Sequence, residues 1–332
     1  MAKKRGNKKK INLIFIIGLI ILAILLLEGG LRITEHFFPG AIITYPYILT
    51  PSTNPSLVYS TKPNLQNYVF MGSKINTNSE GFRDNEFSDK PNEDLMIISL
   101  GDSLAFGLGA DNEDTYAAQI EKFSKEHESN NSINVINLAV PGYSLKQSKI
   151  LFDQYVERYN PGLVIVTFSL EETDFETKDL SKKNNIFDNS YIYNLLFGAK
   201  FSEKREIYLK QFKKKDDYLK HIKKKLDSPE LLQDLEILDE MKNKMESQDK
   251  RLLVMIIPTP KREFILDPEV ISVYNELYKK LEQRDHTPQE FIPWVKTELE
   301  NLNSSELTQK ELNNLITNIL IRRLISMQLI NP

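Results

Sequence analysis

The sequence predicts an α/β domain with a parallel sheet covered on both faces, preceded by one membrane-spanning helix. Two observations carry this reading. Four short apolar runs, Leu95–Leu100, Asn134–Leu138, Leu163–Phe168 and Arg251–Ile257, alternate with stretches of helix length such as Thr115–Lys125 and Leu145–Arg158. Apolar strands that alternate with helices build parallel sheets buried on both sides. Ahead of them, Ile11–Leu27 runs 17 residues without a charge, the short end of what spans a bilayer.

Taken in order, residues 1–10 read as a cytoplasmic basic tail, with Lys3, Lys4, Arg5, Lys8, Lys9 and Lys10. Residues 11–27 read as a transmembrane anchor. The run is apolar on every face, is followed by Glu28-Gly29-Gly30-Leu31-Arg32 and lacks a small-x-small cleavage site, which favours an uncleaved anchor over a signal peptide. Cations stay on the cytoplasmic side, so everything after residue 27 is expected outside the cell membrane. Residues 28–92, rich in Pro, Asn, Thr and Tyr, read as a partly structured leash that packs onto the domain. Residues 93–332 form that domain. Within it, residues 176–249 break the strand rhythm with a Lys/Glu-rich helical insert. This reads as a solvated amphipathic hairpin, with a cap over the site or a basic face on anionic headgroups as the functional alternatives.

Charge and composition exclude several functions. Of 332 residues, 43 are Lys or Arg and 46 are Asp or Glu, and six of the cations lie in the basic tail. The remaining chain is acidic and has no global electrostatic reason to bind nucleic acid. Cys is absent, so no thiol nucleophile or thiolate metal site exists. Only His36, His127, His221 and His286 are available as a histidine base.

Ligands bind parallel sheets at the carboxyl ends of the strands. The residues that follow each run are Gly101-Asp102-Ser103, Pro141-Gly142, Glu171–Asp174 and Pro258-Thr259-Pro260. A serine directly after a strand presents its hydroxyl at the sheet edge, and its own N–H can face a bound carbonyl oxygen. The pattern is neither a G-x-S-x-G elbow nor a phosphate loop.

Gly101-Asp-Ser-Leu-Ala-Phe-Gly-Leu-Gly109, with Asp114-Thr115-Tyr116 after it, resembles the first block of the SGNH (GDSL-type) hydrolases. The resemblance is to the membrane-anchored type, to which Asn78-Ser-Glu-Gly-Phe-Arg-Asp84 and the N-terminal anchor also belong. Asn137-Leu-Ala-Val-Pro-Gly142-Tyr-Ser144 matches the second block, in which Gly142 takes the oxyanion-hole position. In the third block Asp174 matches, and Thr173 stands where the family has its oxyanion asparagine. For the last block, a register on Asn303-Ser-Ser-Glu306 precedes a helix over Leu312–Leu329 but puts Asn303 for the aspartate, Glu306 for the histidine and Glu311 for the glycine. A second register takes His286 of Asp285-His286-Thr-Pro, with Gln283 at the partner position. The structural alternative for His286 is an Asp-His turn capping a helix near Pro288.

The resemblance implies a three-layer, flavodoxin-like α/β/α domain and ester hydrolysis or O-acyl transfer on an acylated carbohydrate or lipid, with no metal or organic cofactor. The candidate catalytic residues are Ser103, His286 and Asp102. The oxyanion hole is Ser103, Gly142 and Thr173, and Asp174, Asn303 and Glu306 are further pocket residues. Glu306 is the alternative base. The competing expectation is a catalytically impaired relative that binds an acylated glycan or a partner protein without turnover. Membrane lipid is the expected partner of the anchor, and no protein partner is indicated.

Overall fold

The computed structural model describes residues 3–37, 48–70, 72–87, 95–126, 133–170, 190–192, 214–258, 264, 267–288, 293, 297, 309–327 and 329. Helix α1, Lys3–Phe37, continues past both ends of the apolar run. Its segment Leu13–Thr34, 22 residues of mean hydropathy 2.8, is long and apolar enough to cross a membrane, and none of its apolar window is buried among the described residues.

The stretch 48–87 forms two small antiparallel hairpins. Strand β1 (Leu49–Pro51) pairs with β2 (Tyr59–Thr61), and β3 (Tyr68–Phe70) pairs with β4 (Ser73–Ile75). Four parallel strands make the central sheet: β5 (Leu95–Leu100), β6 (Ile133–Asn137), β7 (Leu163–Phe168) and β8 (Arg251–Ile256), in the order β6-β5-β7-β8. Every residue of β6 and β7 is buried, as continuous apolar runs in a sheet covered on both faces require. All four strands fall within a residue of the predicted runs.

Helix α2 (Ser103–Phe106) and α3 (Tyr116–Glu126) link β5 to β6, and α4 (Leu145–Tyr159) links β6 to β7. Beyond β7 come α5 (Lys215–Leu226) and α6 (Pro229–Glu246), then α7 (Pro268–Glu282) after β8 and finally α8 (Gln309–Ser326). The crossover from β5 to β6 runs one way along the sheet and the crossover from β6 to β7 runs the other. Right-handed connections therefore place α3 on one face and α4 and α6 on the opposite face. The packing agrees: α3 lies on β6 with α8 against it, while α4 lies on β5, and α6 on α4 and β8. The strand order reverses at β5, and such a switch point is where α/β sheets bind ligands.

The second half of the expected insert has a different role. Helix α6 is the crossover between β7 and β8, and it buries Leu231, Leu235, Leu238, Met241 and Met245. Ser228 caps it by accepting the Leu231 N–H at 3.2 Å, and Pro229 opens its first turn. The Lys/Glu-rich pattern here is the outer face of a core helix.

A buried arginine locks the hairpin segment onto the domain. The Asn78 side chain turns the chain by accepting the N–H groups of Glu80 and Phe82, at 3.1 and 2.9 Å. Gly81 sits at φ +90 within reach of the Thr61 carbonyl, where an added Cβ would lie 2.3 Å from that oxygen. This turn sends Phe82 into a ring cluster with Phe87 and Tyr155 and aims Arg83 inward. Arg83, 3% exposed, donates to the carbonyls of Gly107 (2.5 Å), Phe106 (3.3 Å), Lys74 (3.0 Å) and Ala110, and to Asn112 Oδ1 (2.9 Å). Burial lowers its pKa to about 10, so it stays charged at neutral pH. Next to it, Asp84 Oδ2 accepts the Asn137 N–H at 2.9 Å.

Replacing Arg83 by Met leaves these acceptors without their donor, and a loss of about 3 kcal/mol is expected. Arg158→Met, which removes a half-exposed ion pair with Glu80, should cost under about 1 kcal/mol. Thermal unfolding followed by circular dichroism checks the contrast.

Candidate active site

Strand β5 ends at Leu100, and Gly101 then takes φ +148. The site depends on this glycine, because a Cβ there would lie 1.7 Å from Thr167 Oγ1 and 3.0 Å from Ala105 Cβ. Thr167 is held by its own hydrogen bond to the Leu100 carbonyl, 3.2 Å. Asp102 is the N-cap of α2, and its Oδ1 accepts the Leu104 N–H at 2.9 Å. The turn is closed by Leu108 N–H to the Ser103 carbonyl, 3.0 Å, and by Gly107 at φ +77.

Ser103 is thus the first residue of a one-turn helix at the carboxyl end of the sheet. First-turn N–H groups have no partner within their helix, and the Ser103 N–H and hydroxyl have no hydrogen-bond partner among the described residues. The residue is half-buried and open to solvent on one side. Asp102, a candidate catalytic residue by sequence, acts here as the cap that shapes the turn.

The loop after β6 is bonded to the same place. Leu138 N–H reaches the Ser99 carbonyl at 2.9 Å, and Val140 N–H reaches the Gly101 carbonyl at 3.2 Å. Gly142 follows at φ +81, a conformation that glycine adopts without strain. Its N–H also has no partner among the described residues. Three side chains hold this loop against the serine turn. Asn137 Nδ2 donates to the Ala105 carbonyl at 3.2 Å, while its Oδ1 accepts from Ala139 N–H at 3.2 Å. Tyr59 donates its hydroxyl to the Pro141 carbonyl at 3.1 Å, and Tyr143 donates back to the Tyr59 carbonyl. Asn137, Tyr59 and Arg83 carry no chemistry by sequence, yet together they fix the two loops that present Ser103 and Gly142.

His286 is not grouped with Ser103. It follows α7, which runs antiparallel to the strands, and its N–H bonds the Leu281 carbonyl at 3.0 Å. This sets it at the amino-terminal edge of the sheet, beside the end of α6, whereas Ser103 lies at the carboxyl edge. The ring is 4% exposed, and its Nε2 donates to Asp239 Oδ1 of α6 at 2.9 Å. Arg284 shares the same carboxylate, and Lys242 bonds Asp285 at 2.8 Å. His221 lies on α5, half-buried. The side chains of His36 and His127, together with Thr173, Asp174, Asn303 and Glu306, lie outside the described residues. Three residues after the last of these, α8 begins beside the turn Asn112–Asp114 and the start of α3: Lys310 Nζ bonds Asp114 Oδ2 at 2.8 Å, and Asn313 Oδ1 accepts the Tyr116 N–H at 3.2 Å.

A cavity of about 330 Å³ opens on the free edge of β6, walled by Asn76, Arg83, Asp84, Asn112, Glu121 and Asn137. Ser103 does not line it.

No family model matches the chain, and no curated protein matches it. Similar solved structures include the psychrotrophic esterase EstA from Pseudoalteromonas sp., with 14% identity over 71% of this chain and 99% of that one, at a TM-score of 0.42. Others are Axe2, an acetylxylan esterase from Geobacillus stearothermophilus (11% identity, 68% and 92% covered, TM-score 0.40), and a member of the lipolytic G-D-S-L family from Veillonella parvula DSM 2008 (10%, 68% and 96%, 0.38).

Gly101→Ala should lower the thermal midpoint and block any chemistry at Ser103, and adding Thr167→Ala, which removes the nearest clashing atom, should recover part of the stability. Burial holds the His286 pKa below its ordinary 6.5, against the opposing pull of Asp239. The unfolded chain therefore binds a proton near pH 6.5 that the folded chain refuses, so stability falls as pH drops below about 7 and levels off below the folded pKa. Chemical denaturation at a series of pH values should show this fall, shallower in His286→Gln; His221, also lowered by burial, contributes in the same direction.

Proposed function

We propose that the chain is an SGNH-type serine hydrolase or O-acyltransferase that acts on an acyl ester of a carbohydrate or lipid, outside the membrane and tethered to it by α1. The observation that carries this reading is that the Ser103 hydroxyl and the N–H groups of Ser103 and Gly142, at the sheet's switch point, have no hydrogen-bond partner among the described residues. A nucleophile beside two donors suits an acyl carbonyl, whose oxygen becomes negative as the tetrahedral intermediate forms.

In the proposed reaction Ser103 Oγ attacks the acyl carbon as its proton passes to a base. The ester C–O bond then breaks, and the leaving alkoxide takes that proton. Water releases the acid, or an acceptor hydroxyl takes the acyl group. We assign the base to Glu306, three residues before α8, because α8 starts against the turn and helix that follow the serine turn in sequence, while His286 is committed to Asp239 at the other edge. A carboxylate needs a raised pKa to serve this role well. Thr173 remains the proposed third-block residue of the hole, and Asp174 a further pocket residue. The retained anchor is supported by Glu28 of α1, whose carboxylate binds residues 190–192, a later part of the same chain.

The second reading is a binding protein without turnover, for an acylated glycan or a partner protein, and the burial of His286 with Asp239 is the observation that favours it. Labelling with a fluorophosphonate separates the two. The active reading predicts labelling of the wild type, its loss in Ser103→Ala, marked slowing in Glu306→Gln and near-normal labelling in His286→Gln. A wild type that stays unlabelled would contradict it and leave the binding reading.

A further inference from the structure

We infer that the polar cavity on the free edge of β6 binds a neutral polyhydroxylated ligand, a sugar ring, at a second site in which Ser103 takes no part.

Capping of the edge strand accounts for only some of the walls. The N–H groups of Ile133, Val135 and Asn137 point away from β5, and each meets a side chain: Ser124 Oγ at 2.9 Å, Glu121 Oε1 at 2.8 Å and Asp84 Oδ2 at 2.9 Å. These caps close the edge to a further strand. They do not require an open space of about 330 Å³ in front of Val135 and Asn137, a volume in the range of small-molecule sites. Nor do they account for Asn76, Asn85 and Glu113, which line the same space. Asn76 Nδ2, the Asn85 side-chain amide and the Glu113 carboxylate have no hydrogen-bond partner among the described residues.

The wall is held in place before any ligand arrives. Asp84 is fixed between the N–H groups of Asn137 and Asn85, at 2.9 and 2.7 Å. Asn112 Oδ1 is fixed between the Asn76 N–H at 3.0 Å and Arg83 Nε at 2.9 Å. A polar wall that needs no rearrangement gives up little on binding. Buried Asn137 and Arg83 form its floor, and exposed Asn85 and Glu113 its mouth.

Charge and hydrogen-bond type select the ligand. Asp84, Glu113 and Glu121 bring three carboxylates. Arg83 is the one cation among the described lining residues, and all five of its N–H donors are spent on Asn112 Oδ1 and four carbonyls. Phosphate or a carboxylate is therefore repelled. Among the described residues no three acidic groups converge as the ligands of a metal ion do. An acyl chain would displace water from these polar groups and return no hydrogen bond. An ammonium group offers donors alone and leaves the N–H donors of Asn76 and Asn85 without an acceptor. A hydroxyl serves both kinds of wall: it donates to a carboxylate in a charge-assisted bond and accepts from a neighbouring amide. Several hydroxyls on one compact ring match amides and carboxylates set around one cavity.

Saturation-transfer NMR on the full-length chain, in a detergent without a sugar head group, tests this. The probes are glucose, galactose, mannose, N-acetylglucosamine and the linear trimers of glucose and of N-acetylglucosamine, with ethylammonium and inorganic phosphate as controls. At least one sugar should give transfer; a signal from a monosaccharide marks a free sugar as the ligand, and a signal from trimers alone marks a glycan chain. Asn85→Ala and Glu113→Ala should each weaken that binding about fivefold. Ala118→Phe, which fills the cavity from a half-buried position on α3, should abolish it, and Ser103→Ala should retain it. No transfer from any sugar, or binding of ethylammonium or phosphate alone, overturns the inference. Sugar binding that survives Ala118→Phe, or that is lost in Ser103→Ala, overturns it as well, because the sugar then sits elsewhere. If Ala118→Phe does not fold, the two variants at exposed positions decide: unchanged binding in both rejects the site.

Discussion

The Arg83 guanidinium is the point on which the serine turn, the β3–β4 hairpin and the 3₁₀ turn at Asn112–Asp114 all depend. A buried cation is tolerated only when its donors are used, and here its acceptors are main-chain carbonyls from the loop that follows Ser103. The requirement works in both directions. The arginine must have those carbonyls, and the carbonyls, several of them buried, must have a donor. With Asp84 capping the β6 edge at Asn137, two adjacent residues of the segment before the sheet hold the ends of two sheet strands in register. The stretch between α1 and the sheet is therefore part of the site's framework.

That framework presents what the proposed acyl chemistry needs from the two loops. Gly101 allows β7 to approach closely, Asp102 caps the turn, and Val140 N–H to the Gly101 carbonyl ties the Gly142 loop to the serine turn. What remains is a base, and the histidine with the most suggestive neighbours is spent on structure. His286 is buried, donates to Asp239 and is surrounded by Arg284 and Lys242. Its surroundings keep it neutral and fastened to α6, which suits a tie between two helices. The chemistry proposed here accordingly places the base on the segment that leads into α8.

Much of the sheet was legible because each strand is a short apolar run bounded by Gly, Pro, Asp or Asn, and those boundaries fall where strands must end. The Ser103 and Gly142 positions were legible for the same reason, since both sit immediately beyond such runs. Helix α6 was harder to read: its charged residues dominate its composition, while Leu231, Leu235, Leu238, Met241 and Met245, on its inner face, make it a core element. Arg83 could not be read as a clamp, because its partners are backbone carbonyls more than 20 residues away and any sequence supplies carbonyls. His286 misled by its local setting, Asp285-His286-Thr-Pro, whereas its actual partner lies 47 residues upstream on another helix. Thr173, Asp174, Asn303 and Glu306 lie outside the described residues and stand on their sequence positions alone.

The central claim is that Ser103 is a nucleophile served by the N–H groups of Ser103 and Gly142. The most direct measurement is intact-mass and peptide-mass analysis of the full chain after brief exposure to an activated acyl ester, quenched in acid. An acyl adduct confined to the peptide that contains Ser103 is the result the account predicts. A chain that stays unmodified at Ser103 while the ester is bound or consumed would contradict it.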